Sequence, residues 1–527
     1  MNIETASKRL LGGLTVASIA AASLACGTVE ASAEPDTGDT DPTLVTTDKG
    51  QVKGTAADGV RSWLGVPYAS PPTGDLRWAP PEEAEPWDGV RAADRFGSAC
   101  AQGESALGMP SVPGVNEDCL NLNVYAPDTG DRDLPVMVWL HGGGNSYGAG
   151  SQYDPSRLVT DGEVVVVTVN YRQGLFGSLA HPALDGDDGE VLSGNYGLQD
   201  QQTALEWVRA NASAFGGNAE NVTLFGESGG GYDACAHLAS AGSAGLFDKA
   251  ILQSATCAAA WATGREEGRD IAADLAEELC PEAEDVATCL REAAAADVIA
   301  FSDRLGEVQP VVGGPVMPVP TGEAIASGEF NHVPVLHGIN SDEMQGYAVT
   351  LGVETEEDYL ARLEEMFGDL AGAIAAEYPA VEGDDGPTRA LGRVLTDAEW
   401  STGLAATREA FGDRVPAFTY ELSVSDAPYF THIPSRPDFE FDAHHMVDCA
   451  FLFDTGFFEP IEDEQRPLAE LMIESWSEFA RTGDPDGEGP WEPYATDEDT
   501  MRLSPEGATA IDFEDEHRIG FWRGLRA

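Results

Sequence analysis

The stretch Asn221-Val222-Thr223-Leu224-Phe225-Gly226-Glu227-Ser228-Gly229-Gly230-Gly231 constrains the fold more than any other. Val222 to Phe225 is a short run of β-formers, as a buried strand requires, and Tyr232 to Ser240 suits a helix, with no Pro or Gly. Between them, Gly226-x-Ser228-x-Gly230 reads as a sharp strand-to-helix turn that pushes the serine outward. Glycines belong there because neighbouring backbone leaves no room for a Cβ. A Gly-x-Ser-x-Gly turn alone is common; the strand before it and the helix after it make Ser228 a candidate nucleophile.

Strand-like and helix-like patterns alternate along the rest of the chain, which predicts an α/β fold around a mostly parallel sheet covered by helices. Pro135 to Leu140 is a buried strand running into His141-Gly142-Gly143-Gly144, and Glu163 to Val169 is the next strand. Leu198 to Ala212 is an amphipathic helix with Leu198, Leu205, Val208 and Ala212 on one side. Lys249 to Gln253 and Val333 to His337 are further short strands, and Glu356 to Gly412 reads as covering helices. No linker, repeat or low-complexity break follows Leu44, so residues 44–527 read as one domain.

The N-terminus reads as an export signal over residues 1–33. Lys8 and Arg9 precede an apolar run from Leu10 to Ala25 that is too short for a stable membrane span. Cleavage is expected either after Ala33, at Ala31-Ser32-Ala33, or before Cys26. The second site resembles a bacterial lipoprotein site, with Ser23 where an aliphatic residue is usual, and implies a lipid anchor at Cys26. Residues 34–43 read as a flexible acidic tether. Export makes disulfides permissible among the eight cysteines, and no pair has metal-site spacing. With 29 basic against 91 acidic residues, the formal charge is −62. That balance excludes nucleic acid and anionic membrane as partners and points to adaptation to high salt.

A serine hydroxyl becomes a nucleophile when a base, normally histidine, takes its proton and a carboxylate orients that base. His141 opens the Gly-rich turn and reads as its brace. His181, His332, His432 and His517 lie in polar loops and read as solvated. His237 faces outward or packs on the nucleophile helix, and His337 ends a strand as a packed residue. That leaves His444-His445, followed by Asp448, Phe451 and Phe453.

Several long motifs in order resemble the type-B carboxylesterase/lipase family, a branch of the α/β-hydrolases that includes bacterial para-nitrobenzyl esterases and animal cholinesterases. Leu64-Gly65-Val66-Pro67-Tyr68-Ala69-Ser70-Pro71-Pro72 and Glu117-Asp118-Cys119-Leu120-Asn121-Leu122-Asn123-Val124 carry the likeness, with Asn121 where Tyr is usual. So do Asn170-Tyr171-Arg172, Asn195 to Gln201, and Phe479 to Pro485. The resemblance implies an α/β-hydrolase fold and acyl transfer from a small-molecule ester, with no metal or organic cofactor. It places Ser228 as nucleophile, Glu343 (in Gly338-Ile339-Asn340-Ser341-Asp342-Glu343) as triad acid and His445 as base. His445 is preferred to His444 because it keeps Asp448, Phe451 and Phe453 in the family's register. It also implies an oxyanion hole from the N–H groups of Gly143, Gly144 and Gly229, and disulfides Cys100–Cys119 and Cys280–Cys289. Cys235, Cys257 and Cys449 remain, an odd number, which leaves a buried free thiol or an unexpected pairing.

Four further positions depart from the family's pattern. Asn145 stands where Phe is usual, implying a more polar rim. Gly229 stands where Ala is usual, implying a looser turn. Asp233 stands where Ser or Asn is common, and Met446 replaces a frequent Gly. The loop between Cys100 and Cys119 holds no Trp, which counts against a cholinesterase. The expectation is a secreted or lipid-anchored serine carboxylesterase. The alternatives are a lipase on longer chains and a non-catalytic neuroligin-like binding module of the same fold.

Overall fold

A computed structural model describes residues 41–526 apart from 105–109, 187–191, 260, 381–385, 434–440, 488 and 496–498. In it the apolar runs pair into an 11-stranded sheet. From one edge the order is Gly507–Ile511, Thr500–Ser504, Ala417–Leu422, Val335–Asn340, Lys249–Gln253, Gly217–Glu227, Leu134–Leu140, Val165–Val169, Asn121–Pro127, Val60–Pro67 and Thr55–Ala57. Pairing is parallel from Thr500–Ser504 through to Val165–Val169 and antiparallel at both edges. Leu44–Thr46, Gln51–Lys53 and Val90–Ala92 form a separate small sheet.

The central strands are buried on both faces, and their side chains divide by the period of two. Val136, Val138 and Leu140 join the core beneath the helices Tyr196–Asn211 and Gly229–Ala239. Met137 and Trp139 point into the opposite core, against Ser156–Gly162 and Arg466–Thr482. Each such side chain contributes about 1.5–3 kcal/mol by leaving water. Leu134–Leu140 connects onward to Val165–Val169 on one side, while its other neighbour, Gly217–Glu227, connects onward to Lys249–Gln253. The chain therefore leaves the carboxyl ends of these two adjacent strands in opposite directions, which opens a crevice there.

Several sequence boundaries move. The strand before Ser228 starts at Gly217, and the helix after it starts at Gly229, three residues earlier than expected. The helix read from Leu198 starts at Tyr196. The strand read as Val333 to His337 runs instead over Val335–Asn340, past the proline at 334. The carbonyl of Thr43 accepts from Trp63 Nε1 (2.9 Å) and from the Gly54 N–H (2.9 Å), which ties this residue into the folded unit that begins at Pro42. The export signal, Cys26 and residues 34–40 lie outside the described residues.

Cys100–Cys119 and Cys280–Cys289 are bonded, and Cys235–Cys257 forms a third disulfide, leaving Cys449 as a buried thiol. The expectation of a solvated His517 is overturned. It is buried, with Nδ1 2.5 Å from Asp397 and Nε2 against Glu421, because two carboxylates compensate the imidazolium for lost hydration. No helix of the described residues is long and apolar enough to cross a membrane.

Candidate active site

Sheet register brings the groups of interest to one level. Gly226 pairs with Leu140, and Glu227 with Gln253, which itself pairs with Gly338. The residues just beyond these partners, His141 onward, Ser228, Ser254 and Asn340 to Glu343, therefore emerge together at the carboxyl ends of the strands. Ser228 sits at φ 53°, ψ −122°, a conformation an L residue adopts only under constraint. Its N–H donates to the Gln253 carbonyl (3.0 Å), and its carbonyl accepts from the Tyr232 N–H (2.8 Å), so the turn is pinned from both sides.

Ser228 Oγ lies 2.9 Å from His445 Nε2, and His445 Nδ1 lies 2.6 Å from Glu343 Oε2. The other carboxylate oxygen, Glu343 Oε1, accepts from Ser254 Oγ (2.6 Å) and from the Asn340 N–H (2.8 Å). Glu343 is thus buried with both oxygens satisfied, and its own carbonyl accepts from the His445 N–H (3.1 Å). His444 does not reach the serine: its ring nitrogens face the carbonyls of His445 (2.9 Å) and Pro428 (3.1 Å). Met446 has φ 71°, which gives the reason Gly is frequent beside this histidine.

Glu227 escaped the sequence reading, since nothing marks the second residue of Gly-x-Ser-x-Gly. It is fully buried, with Oε1 3.4 Å from His445 Nε2 and, among the described residues, no hydrogen-bond donor on either oxygen. Burial raises its pKa well above the usual carboxylate range. For His445, burial disfavours the imidazolium, but the charges of Glu227 and Glu343 outweigh it and raise the pKa. Glu343 has donors on both oxygens and is the better compensated of the two carboxyls, and it is the one hydrogen-bonded to the imidazole.

On the other side of the crevice, Gly143 and Gly144 have φ of 111° and 58°, which turns the loop after Leu140 back over the serine. Among the described residues, their N–H groups donate to no protein acceptor. The Gly143 carbonyl accepts from Ser146 and Tyr147, and the Gly144 carbonyl from Val308. Gly229 opens the nucleophile helix, where the first N–H groups have no intrahelical partner. His141 is buried and stacked on Tyr171 at 4.5 Å, whose hydroxyl donates to the His141 carbonyl (2.6 Å). His237 is buried on the nucleophile helix rather than facing outward, and His337 bonds Thr419 (3.1 Å) inside the sheet.

Two expectations about the departures are corrected. Asn145 is turned inward, its Nδ2 donating to Asp233 (2.8 Å) and its Oδ1 buried, so it does not make the rim polar. The turn is not loose at Gly229: a Cβ there would lie 2.9 Å from the Gly144 nitrogen. Aromatic side chains not singled out from sequence form the wall beside the histidine. The Trp400 ring is 5.0 Å from that of His445, and Tyr232 stacks on Trp261 at 4.7 Å.

This fold, with a serine, histidine and glutamate hydrogen-bonded at a strand-to-helix turn, defines the class of α/β-hydrolases. A sequence model of the carboxylesterase family matches residues 41–522, and the chain belongs to that family. It is 35% identical to the para-nitrobenzyl esterase of Bacillus subtilis (strain 168), over 90% of this chain and 97% of that one. It is 36% identical to the fumonisin B1 esterase of Sphingopyxis macrogoltabida, over 85% and 83%, and 32% identical to a human cocaine esterase, over 91% and 90%. The solved structure of a thermophilic para-nitrobenzyl esterase superposes with a TM-score of 0.75 at 33% identity, covering 92% of this chain and all of that one. A para-nitrobenzyl esterase superposes at 0.73 with 35% identity, over 91% and 99%. The protein is a carboxylic ester hydrolase, acting on small-molecule esters by the serine acyl-enzyme route general to the family.

Proposed function

We propose that Ser228 is the nucleophile, His445 the general base and acid, and Glu343 the carboxylate that orients His445. The observation that carries this reading is the continuous hydrogen-bonded line from Ser228 Oγ through the imidazole to Glu343. His445 Nε2 takes the hydroxyl proton as Ser228 Oγ attacks the ester carbonyl carbon. The carbonyl oxygen becomes an oxyanion received by the N–H groups of Gly143, Gly144 and Gly229. The imidazolium then returns its proton to the departing alkoxide, and the alcohol leaves. Water attacks the acyl-enzyme by the same route, with His445 again holding the proton, and releases the acid and Ser228.

The partly exposed wall of Tyr232, Trp261 and Trp400 favours esters with a bulky apolar or aromatic group, as the names of the para-nitrobenzyl and cocaine esterases also suggest. Three disulfides fit an exported protein. The signal over residues 1–33 and the Ala25-Cys26 junction support export, with lipid anchoring at Cys26. Mass spectrometry of the mature N-terminus tests this: a modified Cys26 is expected, and a start at Glu34 would leave plain secretion.

Ser228→Ala is expected to abolish ester hydrolysis and covalent labelling by an organophosphate while the protein stays folded. Labelling of the variant at the wild-type rate would place the nucleophile elsewhere. Turnover of para-nitrophenyl esters from acetate to palmitate separates an esterase, fastest on short chains, from a lipase.

A further inference from the structure

The donors assigned to the oxyanion come from two different elements. Gly143 and Gly144 lie in the loop after Leu134–Leu140, and Gly229 is the first residue of the helix Gly229–Ala239. Stabilising a developing oxyanion requires these donors to hold one geometry before the charge appears. Something must therefore fix the loop against the helix.

Asn145 follows Gly144 directly and, at φ 54°, continues its left-handed backbone, a region Asn tolerates better than most side chains. Its Nδ2 donates to Asp233 Oδ1 at 2.8 Å, one turn along the nucleophile helix. The second oxygen, Asp233 Oδ2, accepts from Gln201 Nε2 at 2.6 Å. Gln201 Oε1 faces His237 Nε2 at 2.7 Å, and His237 Nδ1 faces Ser243 Oγ at 2.8 Å. These contacts set one polarity. Gln201 spends its amide N–H on Asp233, so its oxygen accepts from His237 Nε2–H, and the remaining ring nitrogen accepts from Ser243. Burial drives the His237 pKa down to about 3, consistent with one ring proton. Asp233 is thus held from behind while it holds Asn145 in front. Its pKa is pushed up to about 7 by burial, against the pull of the two amides.

Gly229 completes the unit. A Cβ there would meet the Gly144 nitrogen at 2.9 Å and the Asn145 nitrogen at 3.1 Å. Both are backbone atoms, so a side chain at 229 would push the loop away from the helix. Asn145, Gly229 and Asp233 are three of the positions where the sequence departs from the family's pattern, and in the fold they touch one another.

We propose that Asn145, Asp233 and Gly229 act as one positioning unit: the Asn145–Asp233 hydrogen bond ties the oxyanion loop to the nucleophile helix at a spacing that only glycine at 229 allows. The unit touches no reacting atom. It sets where the Gly143, Gly144 and Gly229 N–H groups stand. The inference rests on the proposed role of those glycines.

A mutant cycle on the full folded protein tests it, reading kcat and KM with para-nitrophenyl butyrate and the Ki of a trifluoromethyl ketone, which binds as the tetrahedral adduct. Asn145→Ala and Asp233→Ala are each expected to lower kcat about 10- to 100-fold with KM within about 3-fold, since the lost contact matters only in the transition state. The ketone should weaken in parallel with kcat. The double variant should be no worse than the poorer single one, because both break the same tie. Gly229→Ala should lower kcat about 100-fold in the wild type but less than about 3-fold further in the Asn145→Ala background, where the loop is free to yield. Losses that multiply, or that appear in KM alone, overturn the proposal. Asn145 is only partly buried, so if Asp233→Ala does not fold, the Asn145→Ala and Gly229→Ala pair decides alone. Failure of the underlying reading looks different: hydrolysis would then survive Ser228→Ala.

Discussion

At the scale of single residues, the serine and its partners depend on how two buried carboxyls beside His445 are compensated. Glu343 is satisfied by Ser254, Asn340 and His445, so its charge is compensated inside the fold. Among the described residues Glu227 has no such donors, and burial raises its pKa. It faces His445 Nε2 at 3.4 Å and, with Glu343, raises the pKa of that ring. Glu227→Gln removes one of these two carboxyls, so the rising limb of the pH–rate profile, where His445 loses its proton, is expected to move to lower pH. The two pH–rate profiles check this, and an unmoved limb would mean that His445 does not feel Glu227. His445→Ala should cost several powers of ten in kcat, whereas His444→Ala, which removes only backbone contacts and packing, should act mainly on melting temperature.

At the scale of elements, the segment Thr396–Ser401 forms a π-helical turn between the helices Gly386–Leu395 and Thr402–Phe411. Such turns widen a helix and redirect its side chains. This one carries Trp400 onto His445 and Asp397 onto His517. Asp397 also accepts from Tyr378 (2.8 Å) and Ser401 (3.1 Å), and Glu421 from Arg502 (2.7 Å), which pairs with Glu516 as well. His517 thus fastens the C-terminal segment to the strand Ala417–Leu422 and to the turn behind the active site. Burial alone would lower its pKa, but Asp397 and Glu421 raise it to about 10. Between pH 6.5 and 10 the folded state therefore holds a proton that the unfolded state has lost. The stability this adds is fully present below about pH 6.5 and disappears as pH rises through 10. Melting temperature is expected to fall across that window. His517→Gln should start lower at pH 7 and change less; an identical slope in the variant would assign the alkaline loss to another group.

At the scale of the whole molecule, charge dominates. The 91 acidic residues face only 29 basic ones, of which just four are lysines (Lys8, Lys49, Lys53 and Lys249), and the formal charge is −62. Some cations are shared between two carboxylates, as Lys49, Arg502 and Arg523 are. At about 0.01 M salt the Debye length is roughly 30 Å, so charges repel across much of the surface; near 1 M it is roughly 3 Å. Unfolding separates the charges, so repulsion destabilises the compact state most where screening is weakest. Melting temperature and ester-hydrolysis rate are both expected to rise from about 0.05 M to 2 M sodium chloride. A flat melting temperature over that range would reject salt adaptation.

Some of this was legible in the residues alone, for a physical reason. Strands buried on both faces must be apolar throughout, so Pro135–Leu140 and Glu163–Val169 announce a parallel sheet, and a strand-to-helix turn that admits no side chains announces itself through Gly226 and Gly230. Ordered motifs named Ser228, Glu343, His445 and the glycines at 143, 144 and 229 as the set to look for. The sequence left open what depends on contacts between distant segments. Its local composition suggested solvent for His517, because nothing nearby in the chain shows that Asp397 and Glu421 will enclose it. The pairing of Cys235 with Cys257 follows from the helix Gly229–Ala239 lying beside the segment after Gln253. Asn145, Gly229 and Asp233 read separately as three loosened positions, and only the approach of the loop to the helix makes them one interlocking group. Secondary structure and motif chemistry are set by near neighbours in the chain, whereas burial, protonation and hydrogen-bond partners are set by whichever surfaces the fold presses together.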